Sequence, residues 1–293
     1  MGYKGPISQR ERRFGDELQR LRTAAGLSAA EAGALVGMRG PAVSHTEAGR
    51  ITLNAERLEV WLDAYGCTDP AFRSGLADMA RRTGKGWWSE FEGKVPDLAL
   101  DLAEVEDRSA RLTNYEVLYI PGVLQVPAYT EAVFEGGDNH KWDIGDLTRF
   151  RLARQRILDE RKDFHFVIQE AALRMRFPGD AVMRDQLQHL LVMAERPNVT
   201  IQVLPFTVAK QPPSPGSFLF CEPGCPELST IVLDGPGRTE HYGDRESIAT
   251  YRQRFEQLTD LALPPVDGSG PRQGAATRDS WGILQHLLYL LQA

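Results

Sequence analysis

Leu21-Arg22-Thr23-Ala24-Ala25-Gly26-Leu27-Ser28-Ala29-Ala30-Glu31-Ala32-Gly33-Ala34-Leu35-Val36-Gly37 holds a helix stop and a helix start within a few residues of each other. Upstream, Phe14, Leu18 and Leu21 recur at i, i+4 and i+7, the spacing of one helical face. Gly26 ends that helix, because glycine enters the left-handed region without a steric penalty. Ser28 then occupies an N-cap position with Glu31 three residues on, a capping box that satisfies two orphan backbone N–H groups. Ala32, Leu35 and Val36 are expected to form the buried face of the second helix, with Gly37 at the turn. A third helix is expected from about Pro41 to Ala48, closed by Gly49. Leu58, Trp61, Leu62 and Tyr65 mark a fourth, which ends at Gly66.

These residues, with Val43-Ser44 and Glu47-Ala48-Gly49-Arg50, resemble the Xre-type helix-turn-helix domain. The resemblance implies that the third helix enters the DNA major groove and presents its first turn to base edges. It also implies that Glu47 pairs with an arginine of the first helix, Arg10, Arg13 or Arg20. Arg39 is placed to hold a guanine edge or a phosphate, with Ser44 and His45 one turn on and Arg50 and Arg13 completing the expected DNA-binding set. The chain departs from the family pattern at Gly40, Pro41 and Ala42, where side chains that read bases are usual. Ala29 and Thr46 depart from it too, replacing the glutamine and isoleucine usual there. Across residues 1–70 nine basic and nine acidic side chains balance, so net charge supplies no counterion-release argument for binding DNA.

At 293 residues, 42% hydrophobic, 25% charged and net charge −6, the chain is long enough for about two domains. No apolar run approaches the length of a membrane span, and Met1-Gly2-Tyr3-Lys4 lacks a signal-peptide core. Three cysteines, Cys67, Cys221 and Cys225, read as free thiols of a cytoplasmic protein. Cys221 and Cys225 have no second ligand pair close in sequence, so no metal site is expected. No phosphate-binding loop, nucleophile elbow or zinc-protease motif is present, and no cofactor is expected.

A linker or short helix runs from about Asp69 to Gly86, with a locally basic Arg81-Arg82-Thr83-Gly84-Lys85. Trp87-Trp88 reads either as the anchor of a domain junction or as an aromatic platform for a ligand. Beyond it, helices are expected at 97–112, 127–135, 144–160, 180–194 and 245–261. Strands are expected at 114–120, 165–168, 199–204, 216–221, 229–234 and 238–242. The expected architecture is a mainly α N-terminal helix-turn-helix domain followed by an α+β C-terminal domain with a small sheet. The divisions are 1–70, a linker 71–86, the α+β domain 87–263, a Pro-Gly-Ser linker 264–278, and an apolar helix 279–293. That helix is apolar almost all round, so it packs either on its own protomer or across a dimer.

The second region also resembles, over nearly its whole length, the large domain of actinobacterial antitoxin-like transcriptional regulators. The stretches that carry this include Tyr115-Glu116, Ile120-Pro121-Gly122-Val123-Leu124-Gln125, Arg151 with Arg154-Gln155, Glu170-Ala171-Ala172-Leu173 and Pro197–Phe206. The resemblance implies a regulator that binds double-stranded DNA as a homodimer, modulated by a small partner protein or a small-molecule effector. Trp87, Trp88, Arg151, Arg154 and Glu170 are the ligand-binding residues considered, with Arg151 and Arg154 suited to a carboxylate. Against that, an arginine salt bridge to Glu170 is the structural alternative. His165, Glu170, His189 and His241 are the acid–base candidates, but sequence brings no two together and no catalytic residue is assigned. A second reading keeps the helix-turn-helix as a scaffold only. The C-terminal domain then binds a small molecule or catalyses a biosynthetic step.

Overall fold

Two serine caps open the first two helices in a computed structural model of the chain, which describes residues 7–81, 85–137, 141–235, 238–266 and 279–292. Ser8 and Glu11 form a capping box at α1 (Gln9–Ala24), and Ser28 and Glu31 form one at α2 (Ala29–Leu35). In α3 (Gly40–Glu47) Arg39 takes the cap position without a side-chain cap bond, and Pro41 sits in the first turn, where its missing N–H costs nothing. Asn54 caps α4 (Ala55–Ala64), and α5 (Pro70–Arg81) follows. Phe14, Leu18, Leu21, Val43, Leu58 and Trp61 pack with Phe72, Leu76 and Met79 of α5 in one core. The stretch read as a linker or short helix is therefore helical through Arg81, while Arg82, Thr83 and Gly84 lie outside the described residues. Leu35, expected to be buried, is 56% exposed. It is the last residue of a seven-residue helix whose buried contacts come from Ala32 and Gly33.

The partner of Glu47 is Arg22, not Arg10, Arg13 or Arg20. Arg22 Nε and Nη2 donate to the two carboxylate oxygens at 2.6 and 3.0 Å, and Nη1 donates to Leu27 O at 2.7 Å. Glu47 ends α3 beside the last turn of α1, where Arg22 lies. Arg20 is taken by Glu17 at 2.7 Å. Arg10 and Arg13 point the other way, into the second region.

That region begins with a 3-10 turn at Trp87–Phe91 and α6 (Asp97–Arg108). It continues through β1 (Arg111–Glu116), α7 (Pro127–Glu135), α8 (Ile144–Arg154), β2 (Asp163–Gln169), α9 (Glu170–Arg174), α10 (Asp180–Ala194) and β3 (Val199–Leu204). It closes with β4 (Phe218–Glu222), β5 (Thr230–Gly235), β6 (Arg238–Tyr242), α11 (Arg245–Leu261) and α12 (Ser280–Leu290). Leu112, expected on a helix, lies in β1. Ser109 turns into extended backbone, its Oγ closing on Val105 O, and the Ala110 N–H joins Glu222 O where β1 and β4 begin to pair. The expected helix 144–160 tightens into a 3-10 turn after Arg154.

The strands form a six-stranded sheet of order β3-β2-β1-β4-β5-β6. β1, β2 and β3 are parallel, and β4, β5 and β6 are antiparallel to their neighbours. The fold is thus α+β, with helices ahead of a mixed sheet. Period-2 alternation divides the strands between two cores. Leu112, Phe164, Phe166, Ile168, Ile201 and Val203 face α9, α10 and α12. Tyr115, Val167, Phe218, Phe220 and Ile231 face Ile248, Phe255 and Leu258 of α11. In this structure α12 packs on its own chain: Ile283, Leu284 and Leu287 are buried, and Ser280 Oγ accepts from Val203 N at 2.9 Å. Of the expected linker, residues 267–278 lie outside the described residues.

Candidate nucleic-acid face and ligand cavity

Arg39, Pro41, Ser44, His45 and Arg50 are exposed on α3 and the turn after it. Their common face follows from what holds the other side of the helix. Val43, Thr46 and Glu47 are buried, and Thr46 Oγ1 donates back to Ala42 O at 3.0 Å. Gly40 answers to packing: a Cβ there would stand 3.2 Å from Ala30 Cα and 3.5 Å from Ala29 C. The small residues at 29, 30 and 40 therefore let α2 and α3 close on each other, which leaves Arg39, Ser44 and His45 as the polar contacts α3 offers. Arg50 Nη1 and His45 Nδ1 are 3.5 Å apart. Arg13, expected beside them, is buried instead. It is paired with Glu17 and donates to Glu227 O at 2.8 Å, so it fastens the helical head to the second region. Arg10 does the same, with Glu104 at 2.7 Å and Met79 O at 2.8 Å.

The second candidate site is a cavity of about 690 Å³ over the sheet. The chain lays β1 first, adds β2 and β3 on one side, then returns to place β4 on the other side. β1 is thus where the strand order reverses, and in open sheets such a point leaves a crevice at the strand's carboxyl end. Glu116 is the last residue of β1, and with Asn114 it faces into that crevice. Asp234 of β5, Leu98 and Leu102 of α6, and Arg151 and Arg154 of α8 complete the walls.

Polar groups of separate segments meet at the rim. Arg154 gives two N–H groups to Glu106 of α6, at 2.9 and 2.6 Å. Arg151 Nη1 donates to Gln125 Oε1 at 2.9 Å, and its guanidinium lies 4.3 Å from the Phe134 ring centre. Gln125 Nε2 holds Ile120 O at 2.8 Å, and Gln155 Nε2 holds Gln125 O at 2.6 Å. Gln186 both accepts from Val126 N and donates to Leu124 O. Gln125, Gln155 and Gln186 thus satisfy main-chain groups of the 120–126 loop, as a buried irregular segment requires. Burial, reinforced by neighbouring Arg154, lowers Arg151 to about 10, still protonated at neutral pH.

Burial raises the Glu116 carboxyl to about 7, against hydrogen bonds from Ser217 and Asn114 that favour its charged form. The folded state therefore holds this proton more tightly than the unfolded chain does. The resulting stability is full below about pH 4.5 and is lost as pH rises through 7. Glu116→Gln is expected to flatten that decline and to gain on the order of 2 kcal/mol over the native chain at pH 8. Urea unfolding at pH 5 and pH 8 measures it; an identical pH profile for the two proteins would count against a buried neutral carboxyl.

The remaining sequence candidates lie elsewhere. Trp87 and Trp88 pack with Phe91 and Phe150 in a separate apolar cluster, and Arg156 covers Trp87 at 5.2 Å. Glu170 is buried away from Arg151 and Arg154; it pairs with Arg174 at 2.6 Å and accepts from Phe206 N at 2.9 Å. His165 bonds Gln202 at 2.6 Å, the His241 Nε2 is buried without a partner among the described residues, and His189 stands on α10. Burial lowers the pKa of all three histidines. No hydrogen bond joins any two of these acid–base candidates among the described residues. Cys221 of β4 is buried, and burial pushes its thiol far up. Among the described residues no group of three or more His, Cys, Asp or Glu is placed to hold a metal ion, and no helix is long and apolar enough to cross a membrane.

Sequence reading missed Glu106, Asn114, Glu116 and Asp234 as site residues. The one available signal was a polar run, Thr113-Asn114, and a glutamate, Glu116, inside a strand-like stretch. Comparison with known families matches residues 99–269 to a domain of unknown function, DUF5753, and residues 13–74 to a helix-turn-helix domain. No curated protein and no solved structure matches the chain.

Proposed function

The chain belongs to the DUF5753 family, whose domain covers more than half of it behind a helix-turn-helix domain, and on that premise we propose a DNA-binding transcriptional regulator controlled by a small effector. The observation that carries the reading is the exposed face of α3, with Arg39, Ser44, His45 and Arg50 outward while the opposite face is locked to α1 and α2. The Xre type, action as a cytoplasmic homodimer, and the antitoxin-like habit of working with a small partner protein belong to the same proposal.

The route from cavity to DNA is α6. Glu104 and Glu106 lie two residues apart and so project to different sides of the helix. Glu104 holds Arg10 of α1, and Glu106 holds Arg154 at the cavity wall. A ligand that shifts α8 against α6 acts on a buried ion pair two residues along α6 from the pair that holds the DNA-binding head. Coupling of this kind needs a contiguous physical connection, and α6 supplies one.

Selection of bound genomic fragments at two salt concentrations tests the DNA-binding part. Salt-sensitive retention of a discrete set is expected, and no retention at either salt would overturn the reading. On a selected fragment, Arg39→Ala should weaken binding by about 1–3 kcal/mol and relax one position of the site. Arg50→Ala, on a phosphate, should weaken binding across sequences and reduce the salt slope by about 1.

The cavity and the balanced charge of the head favour a second reading, in which the helix-turn-helix is a scaffold and the C-terminal region alone acts on a small molecule. Ligand binding together with absent DNA retention would select it.

A further inference from the structure

Arg151 and Arg154 are neighbours on α8 with different electrostatic fates. Arg154 is neutralised by Glu106 in a two-pronged bond. Arg151 meets an amide oxygen and an aromatic face, and among the described residues it forms no ion pair. Glu116 and Asp234 border the same cavity and act on Arg151 only at longer range, without a described ion pair. Residue 122 is glycine, and a Cβ there would begin only 3.8 Å from Arg151 Nε and from Arg154 Nη1. The absence of a side chain keeps the space beside both guanidinium groups clear. A guanidinium has five N–H donors in a fixed fork, and Gln125 takes only part of that capacity.

Resting on the effector reading above, we propose that the cavity takes a small organic carboxylate, its carboxylate on Arg151 and its apolar body along Leu98, Leu102 and Phe166. Three observations select this class. One guanidinium without a direct ion-pair partner among the described residues matches one negative charge and the planar geometry of a carboxylate. A dianionic phosphate would face Glu116 and Asp234 with Arg151, among the described lining residues, as the one cation not already paired. The volume of about 690 Å³ lies in the range of small-molecule sites, roughly 300–1,000 Å³. Burial, by keeping the Glu116 proton near neutrality, spares the bound anion a facing negative charge below about pH 7.

The test is calorimetric titration of the full chain at pH 6.5 with octanoate, benzoate and 4-phenylbutyrate, each beside its amide, and with phenyl phosphate. At least one acid is expected to bind tenfold or more tightly than its amide. Arg151→Met should weaken that acid tenfold or more and leave the amide unchanged. Acids no better than their amides, equal loss of both in Arg151→Met, or phenyl phosphate binding tighter than every acid would each overturn the proposal. If Arg151→Met fails to fold, the acid–amide ratio on the native chain decides alone. DNA retention is measured on the same preparation with and without acid. An Arg151-dependent acid that leaves DNA affinity unchanged upholds the site and overturns effector control. DNA binding without any acid preference overturns the site and leaves the regulator standing.

Discussion

Arg154→Met is expected to lower the unfolding free energy of the chain by about 3–5 kcal/mol, because it leaves the Glu106 carboxylate buried without its counter-charge. Arg154 is 8% exposed and Glu106 2%. Water cannot replace the lost bonds without opening the contact between α6 and α8. Lys162 does not compensate, because its Nζ donates to the main-chain oxygens of Glu106 and Asp107, and Arg151 bonds Gln125 rather than Glu106. Desolvation of the abandoned charge, rather than the attraction once enjoyed by the pair, dominates the loss. Arg154→Met combined with Glu106→Leu should therefore recover most of the stability, since replacing both members by apolar groups is often neutral. Urea unfolding of the two variants and the native chain measures this. A single variant within about 1 kcal/mol of the native chain would show the pair to be dispensable.

Gly15→Ala should cost about 3 kcal/mol and abolish DNA binding. Two effects of opposite sign meet at this position. Alanine is the better helix former by about 1 kcal/mol in a helix interior. Its Cβ, however, would lie 2.1 Å from Glu47 O and 2.7 Å from Glu47 C, inside the backbone of α3. Backbone cannot rotate aside as a side chain can, so overpacking wins, and α1 must separate from α3. That separation also disturbs the Arg22–Glu47 bond and moves the exposed face of α3. Gly75→Ala is the contrast. There the nearest atom is the end of the Leu228 side chain, at 2.5 Å, which can turn away, and a smaller loss is expected. Thermal unfolding with fluorescence anisotropy on a labelled DNA fragment separates the two variants; a Gly15→Ala protein that keeps both stability and binding would refute the packing argument.

Local chemistry explains which features were legible in the sequence. The cap at Ser28 and the period-2 strand Val199–Leu204 depend on neighbours a few residues away, and their reading needs nothing distant. Leu112 was misplaced because its helical spacing from Val105 is real, while the pairing that draws Ala110 into the sheet comes from Glu222. The partner of Glu47 depends on the angle at which α1 meets α3, so Arg22 was passed over for arginines earlier in the same helix. Gly40 departs from the family's reading residue, and what it does depends on Ala29 and Ala30, which pack against it from a different helix. At the cavity, Arg151 and Arg154 stood out as arginines one turn apart on a helix. Glu106, Glu116 and Asp234 come from three different elements, and the strand order that gathers them is not written in any local pattern.

The helical head is fastened to the body by Arg10 on Glu104, by Arg13 on Glu227 O, and by Arg245 reaching Glu17 at 3.5 Å. Cys225 and Leu228 of the body even complete the head's own core. Such a mounting ties the head to the body at several separate points. For two copies joined through their bodies, the separation and rotational phase of the two reading helices along the duplex would be set by the bodies alone. Half-sites would then be accepted only at one helical phase. Five base pairs inserted between them, about half a turn, would carry the second half-site to the far side of the DNA, where a head pinned by these contacts would not follow.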